Sequence, residues 1–170
     1  DPHCCGSGPL MAEKTIIIDI FPRVNATGYY GDLTRTLVKG RAPTIVKKAF
    51  EAVKLARDTA KEQLRAGVVP ANIHKDALKI LKSNGFDTGK NDQGNYGFFH
   101  GLGHGLGLDV HEAPRLSPAN EEPLKGGEVV TVEPGVYYPE WGGVRLEDVV
   151  WIKPDSCKCL TQIDTVLEIA

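Results

Sequence analysis

Long apolar runs are what this 170-residue chain most plainly lacks: none approaches the roughly 20 consecutive apolar residues of a membrane span. No leader with a basic start, an apolar middle and a small-residue cleavage site precedes the first predicted strand. An excess of either charge is missing too, since 20 basic residues face 22 acidic ones for a net charge of −2. With no basic cluster breaking that mixture, there is no electrostatic footprint for nucleic acid. Thiols are scarce. Four cysteines form the adjacent pair Cys4 and Cys5 and the C-x-C pair Cys157 and Cys159, and neither has the C-x-x-C spacing of a zinc knuckle. A core of this size needs no disulfide staples, so reduced, incidental thiols are expected, with a zinc site built from all four as the alternative. Repeats and low-complexity linkers are absent as well. The expectation is one α/β domain in the cytoplasm that engages neither membrane nor nucleic acid, with 41% apolar residues enough for a core.

What the chain does have is acids in unusual places. Asp19 ends the run Thr15-Ile16-Ile17-Ile18, and Glu133 follows Val129-Val130-Thr131-Val132. Strands that apolar read as buried on both faces. A carboxylate there needs a partner, because desolvating it alone is costly or forces it to protonate. Taken singly, each acid reads as an ordinary surface residue; the spacing is what changes that. A symmetric hairpin between Asp19 and Asp32 has its midpoint between Asn25 and Ala26 and sets the two aspartates directly opposite each other. The same construction about Glu140 sets Glu133 opposite Glu147. Like charges across a ladder repel, so cations are expected between them, and little basic charge lies nearby beyond Arg35 and Arg145. His104 sits in Gly101-Leu102-Gly103-His104-Gly105-Leu106-Gly107, which has neither the Lys-Ser/Thr ending of a phosphate loop nor the dinucleotide spacing. Its glycines instead let the backbone approach a crowded centre. Asp19, Asp32, His104, Glu133 and Glu147 together make an oxygen-rich set with one imidazole, suited to manganese, cobalt or zinc. Two such ions about 3.5–4 Å apart serve hydrolytic chemistry.

The rest of the chain reads as scaffold. A strand over 15–21, an irregular turn from Pro22 to Gly28 and a returning strand from Tyr29 to Val38 come first, with Leu33 and Arg35 on one face and Asp32, Thr34 and Thr36 on the other. Pro43 opens a helix whose stripe Val46, Ala49, Phe50, Val53, Ala56, Ala60 and Leu64 ends before Gly67. A second helix runs from Ala71 to Ser83, with Ile73, Ala77, Ile80 and Leu81 inward and His74, beside Lys75, on the surface. Residues 87–95 and 117–127 read as loops, and strands are expected over 128–132, 135–138, 143–151 and 165–169.

In order along the chain these motifs resemble the pita-bread metallopeptidases, the family of aminopeptidase P, prolidase and methionine aminopeptidase. They are an Asp at a strand end, GDLTRT, HGLGHGLGLDVHE, TVEPG and GGVRLED, and the resemblance covers residues 1–170. It implies an α/β (α+β) pita-bread fold, a curved, mostly antiparallel sheet covered by helices. It also implies that residues 1–170 are a catalytic domain lacking its first elements, a reading that the missing initiator methionine fits. The family pattern makes Asp19 the acid that chelates one metal, Asp32 and Glu147 the bridging carboxylates, and His104 and Glu133 the remaining ligands. His111 and His3 match histidines that contact the peptide from two sides of the pocket, and His100 matches one that lines it; as a bare residue His100 reads equally as packed core.

Arg145, two residues before Glu147, and the stretch LDVHEAPR resemble the aminopeptidase P and prolidase branch. The implied activity is a dinuclear-metal exopeptidase, an Xaa-Pro aminopeptidase or Xaa-Pro dipeptidase, acting on a peptide substrate as a homodimer. The implied metals are two divalent ions, manganese foremost, with cobalt or zinc as alternatives. Glu133 is the expected general acid–base, His111 and His3 the expected hydrogen-bond donors to the carbonyl oxygen, and Arg145 the residue expected to brace a bridging carboxylate. Two other readings stand beside this one: a non-catalytic binding module that retains the fold, and a methionine aminopeptidase-like enzyme.

Overall fold

The chain's first strands pair as an antiparallel hairpin, the apolar β1 (Ile16–Ile20) with the alternating β2 (Leu33–Lys39). The computed structural model describes residues 6–170, so His3, Cys4 and Cys5 lie outside the described residues. Two helices follow. In α1 (Thr44–Gln63) the predicted stripe is the buried face, and Leu64 closes it as the fully buried C-cap. Pro70 occupies the first turn of α2 (Pro70–Ser83), where its missing N–H costs nothing. The chain then forms a short hairpin, β3 (Gly89–Asn91) and β4 (Gly94–Tyr96), followed by β5 (Gly103–Gly105), β6 (Glu112–Leu116) and β7 (Val129–Val132). The last strands are β8 (Gly135–Tyr138), β9 (Gly142–Arg145), β10 (Asp148–Ile152), β11 (Cys157–Cys159) and β12 (Glu168–Ile169).

These strands make a five-stranded sheet in the order β11-β10-β7-β5-β6 and a three-stranded sheet in the order β1-β2-β12. The β3–β4 and β8–β9 hairpins form two-stranded sheets of their own. Pairing is antiparallel except where β12 runs parallel to β2. The core is continuous from the α1 face through Val130, Val132, Val144, Leu146 and Val150, and α2 closes it against α1 and β6.

Several elements depart from expectation. The loop over 87–95 contains the β3–β4 hairpin, and the strand over 143–151 breaks into β9 and β10 at Leu146 and Glu147. β5 was the hardest to foresee, since Gly-His-Gly has no strand propensity. Its glycines are required by contact: a Cβ on Gly103 would stand 2.0 Å from the Thr131 carbonyl oxygen, and one on Gly105 2.2 Å from that of Ala113. The crowding expected around His104 is therefore neighbouring backbone on both sides of the strand.

The register of the first hairpin also differs. Asp19 pairs with Thr34, and Asp32 precedes the strand, because the hairpin is centred between Ala26 and Thr27 and its turn closes through Gly28 at φ +81°. Asp19 and Asp32 are diagonal neighbours, not opposites. The slip leaves both on the same face, since each partner moves by two positions and the pleat has period two. The glutamate register is as the spacing required: Val132 pairs with Asp148 and Gly135 with Arg145, which sets Glu133 across from Glu147 between them.

Candidate metal centre

Between those two pairings the long hairpin opens. The Glu133 N–H donates to the Leu102 carbonyl at 2.8 Å, and the Glu147 N–H donates to the Thr34 carbonyl at 3.0 Å. Each glutamate is thus anchored by a different neighbouring segment, and space is left between them. Alternation along the strand turns Arg145 and Glu147 one way and Asp148 the other. Thr34 and Thr36 on β2 receive that face: the Thr34 hydroxyl donates to Glu147 Oε2 at 2.7 Å, and the Thr36 hydroxyl bonds the Arg145 backbone at 2.8 and 2.9 Å.

His104 enters from β5. Asp32, His104 and Glu147 are all buried and offer ligand atoms within 4.8 Å of one another. Glu133 Oε1 lies 3.2 Å from His104 Nε2, and Asp32 Oδ2 lies 3.7 Å from it. His104 Nδ1 is 3.0 Å from the Gly105 carbonyl, which can only accept, so Nδ1 carries a proton. In the neutral ring, Nε2 is then a lone pair facing two carboxylates, a contact that needs a cation between its members. Carboxylate oxygens around one imidazole nitrogen suit a hard to borderline divalent metal, so these residues fit such an ion.

The protonation balance shows the same shortage of positive charge. Burial pushes the Asp32 carboxyl up to about 6; the His104 ring opposes the rise, and the Asp19 and Glu133 carboxylates add to it. Glu147 is driven well above the usual carboxylate range by burial and by the charges of Glu133 and Asp32, against the Thr34 hydroxyl. Burial would raise Glu133 as well, but its hydrogen bond to His104 and the positive groups of His100, His104 and Arg145 hold it below its ordinary value. For His104, burial acts downward, but the Glu133 hydrogen bond, the Gly105 carbonyl and the charges of Glu133 and Asp32 prevail and hold the ring above its ordinary value.

Asp19, at the end of β1, is held by Arg145, whose Nη2 donates to Asp19 Oδ2 at 2.7 Å. Arg145 was expected to brace a bridging carboxylate. Among the described residues its direct carboxylate partner is Asp19, and it reaches Glu147 through the Thr34 hydroxyl, 3.3 Å from its Nε. Its Nη1 donates to the Tyr137 hydroxyl at 2.9 Å, and that oxygen lies 3.0 Å from His100 Nε2. Because His100 Nδ1 faces the Gly101 carbonyl at 2.8 Å, Nε2 is the acceptor in the neutral ring and Tyr137 donates to it. Burial pushes the Tyr137 hydroxyl up to about 12, so it stays protonated.

His74 is not on the surface: it is buried, its Nε2 is 3.1 Å from the His100 carbonyl, and its ring stacks on Phe98. The positions 74, 77 and 81 already carried that signal, because they share one helical stripe.

Asp19, Asp32, His100, His104, Glu133 and Glu147 together line one cleft of about 1300 Å³. His111 is exposed on its rim, its ring edge-on to His104 at a centroid distance of 4.3 Å. His3 lies outside the described residues. Two cleft residues were missed in the sequence. Tyr137 lies in the segment 135–138, which was expected only as a strand. Arg115 pairs with His104 across the β5–β6 ladder, and its exposed guanidinium makes no ion pair among the described residues.

Comparison with known proteins agrees with this architecture. The model of metallopeptidase family M24 matches residues 1–154. The Xaa-Pro dipeptidase of Pyrococcus furiosus is 38% identical over 167 residues, which are 98% of this chain and 45% of that protein. A dipeptidase structure from Pyrococcus horikoshii superposes with a TM-score of 0.88 at 34% identity, covering 100% of this chain and 45% of that one. An X-Pro aminopeptidase structure from Thermotoga maritima gives 0.87 at 31% identity, covering 99% and 45%. The chain therefore has the pita-bread fold of these enzymes and spans about 45% of the length of the relatives it matches.

Proposed function

This chain belongs to metallopeptidase family M24, and from that premise we propose that it carries the metal centre of an exopeptidase that hydrolyses the bond between an N-terminal residue and proline. The observation that carries the reading is the convergence of Asp32, His104 and Glu147 within 4.8 Å, in a cleft that His100, His111 and Arg115 also line. Asp19, Asp32, His104, Glu133 and Glu147 would hold two divalent ions, manganese foremost and cobalt or zinc as alternatives. Bound there, the ions would supply Lewis acidity towards the scissile carbonyl and towards water.

The protein's own groups do the rest. Glu133, kept ionised beside His104, takes the proton of the attacking water and returns it to the departing proline nitrogen. His111, at the rim, donates to the carbonyl oxygen as it gains charge. His100 is oriented by Tyr137 and lines the pocket. Arg115 is a cation without a side-chain ion pair among the described residues, in a cleft with several acids, and it suits the free carboxylate of a dipeptide. That feature favours an Xaa-Pro dipeptidase over an aminopeptidase acting on long chains. We read the protein as a cytoplasmic homodimer; the exposed side chains of Ile18, Ile20 and Phe21 offer apolar surface for a second copy.

The test is metal loading followed by turnover. About two manganese ions per chain and cleavage of Ala-Pro are expected. Cleavage of Met-Ala in place of Ala-Pro would favour the methionine aminopeptidase reading, and metal uptake without turnover the binding module. Arg115→Met should raise KM for Ala-Pro by about 10- to 100-fold, the value of one charged hydrogen bond, and leave Ala-Pro-amide unaffected. Equal losses on both substrates would remove Arg115 from carboxylate recognition.

A further inference from the structure

Behind the metal centre, on the face of β2 turned away from Thr34 and Thr36, Arg35 is buried with every donor in use. Its Nε donates to the Asp164 carbonyl at 3.2 Å. Nη1 donates to the carbonyls of Thr34 at 3.0 Å and Glu147 at 2.6 Å. Nη2 donates to Asp148 Oδ1 at 2.9 Å and to the Ile163 carbonyl at 2.9 Å. A guanidinium has five N–H groups in a fixed planar fork, and here each meets an oxygen. Two of those oxygens belong to the backbone that presents Glu147: its own carbonyl, and the carbonyl of Thr34 that also accepts the Glu147 N–H. Two others belong to the irregular segment between β11 and β12.

Packing holds the middle of that segment weakly. Ile163 and Val166 are 55% and 49% exposed, and Leu167 at its end packs against the core. Its other ties are polar: the Leu160 N–H donates to the Val149 carbonyl at 2.8 Å, the Val149 N–H to the Thr161 hydroxyl at 2.9 Å, Arg57 Nη1 to the Thr165 hydroxyl at 3.1 Å, and the Val38 N–H to the Leu167 carbonyl at 2.7 Å. Without the carbonyls of residues 163 and 164, Arg35 would keep two buried donors unmatched, an arrangement that shifts the fork off Glu147.

We propose that Arg35 is a positioning residue for Glu147 and that the segment over 160–167 is the clamp that holds Arg35 in place, so that metal affinity depends on this distal stretch of chain. The proposal rests on the reading of Glu147 as a metal ligand. Glu147 has a direct backbone dependence on Arg35, whereas Asp32 and His104 have none. Arg57 provides the contrast: it is equally buried and shares Asp148 and the segment, but it does not touch Glu147.

The test pairs manganese titration with amide hydrogen exchange on the whole chain. Arg35→Lys keeps the charge and loses the fork. It is expected to weaken manganese binding by about 10- to 100-fold, the usual cost of an outer partner of a ligand, and to speed exchange of the Glu147 amide. Arg57→Lys, tested in parallel, should leave manganese affinity within about twofold of wild type. Unchanged affinity in Arg35→Lys, or equal losses in both variants, overturns the proposal. Should Arg35→Lys fail to fold, the wild-type protein decides. Linkage is reciprocal, so saturating manganese must slow exchange of the Val38 amide that bonds Leu167, and an unmoved rate overturns the clamp. If the wild type takes up no manganese, the metal reading fails; the Glu147 amide in Arg35→Lys, or in Arg35→Gln where the lysine variant does not fold, still decides the positioning role.

Discussion

Replacing Asp32 with asparagine should make the metal-free protein more stable, while ending its response to metal. Burial raises the Asp32 carboxyl from 3.8 to about 6, and every tenfold change in proton affinity is worth about 1.4 kcal/mol. The group is only 9% exposed, so solvent screening takes little from that figure. A carboxyl with a raised folded-state value contributes stability that is fully present below its unfolded value, near pH 4, and is lost as pH rises through about 6. At pH 7.5 the metal-free protein therefore carries a penalty of up to about 3 kcal/mol at this one residue. Asparagine keeps the shape and removes the charge. For a chain of this size, a recovery of that order raises the melting temperature by several degrees. Manganese at about 100 times its dissociation constant should add about 2.7 kcal/mol to the wild type and far less to Asp32→Asn. The assay is thermal unfolding of both proteins, metal-free and manganese-saturated, at pH 5 and pH 7.5. The stabilising effect of Asp32→Asn should be larger at pH 7.5. A variant that melts below the wild type without metal, or that gains as much from manganese, would refute the assignment of a repelled, metal-dependent carboxylate.

Asp148 should behave in the opposite sense. Burial acts against its ionisation, but Lys61, Arg57 and Arg35 hold its carboxyl below the ordinary value, so its stabilisation is present above about pH 4 and is lost as pH falls further. Asp148→Asn leaves buried cations without their shared partner and should cost about 3–5 kcal/mol at pH 7, with a flatter acid limb in the pH–stability curve; an unaltered acid limb would contradict the pairing. Gly103→Ala forces a Cβ to within 2.0 Å of the Thr131 carbonyl oxygen. It should cost about 3 kcal/mol or more and displace His104, visible as lost manganese binding in whatever fraction folds; wild-type urea stability would show that β5 and β7 can separate freely.

The centre was legible where local pattern and spacing carry the information. Glu133 and Glu147 are symmetric about a true turn, and the helices announce their inner faces through a 3.6-residue period. The first hairpin was misread because its turn excludes no alternative centre from composition alone; Gly28 with its positive φ selects the actual one. β5 was hidden because Gly103 answers to the backbone of Thr131 on another strand. The bonds of Arg145 to Asp19 and Thr34, 126 and 111 residues away, belong to the same class, and no local window contains them.

The opened hairpin at Glu133 and Glu147 makes the centre a gauge. The backbone of one carboxylate rides with Leu102, beside the larger sheet, and that of the other with Thr34 in the smaller one. The pairs Val132–Asp148 and Gly135–Arg145 pin the hairpin on either side of that opening, so its width answers both to the hairpin and to the placing of the smaller sheet. Thr36, whose hydroxyl bonds the Arg145 backbone beside the opening, helps set the width that any ion there would have to fit.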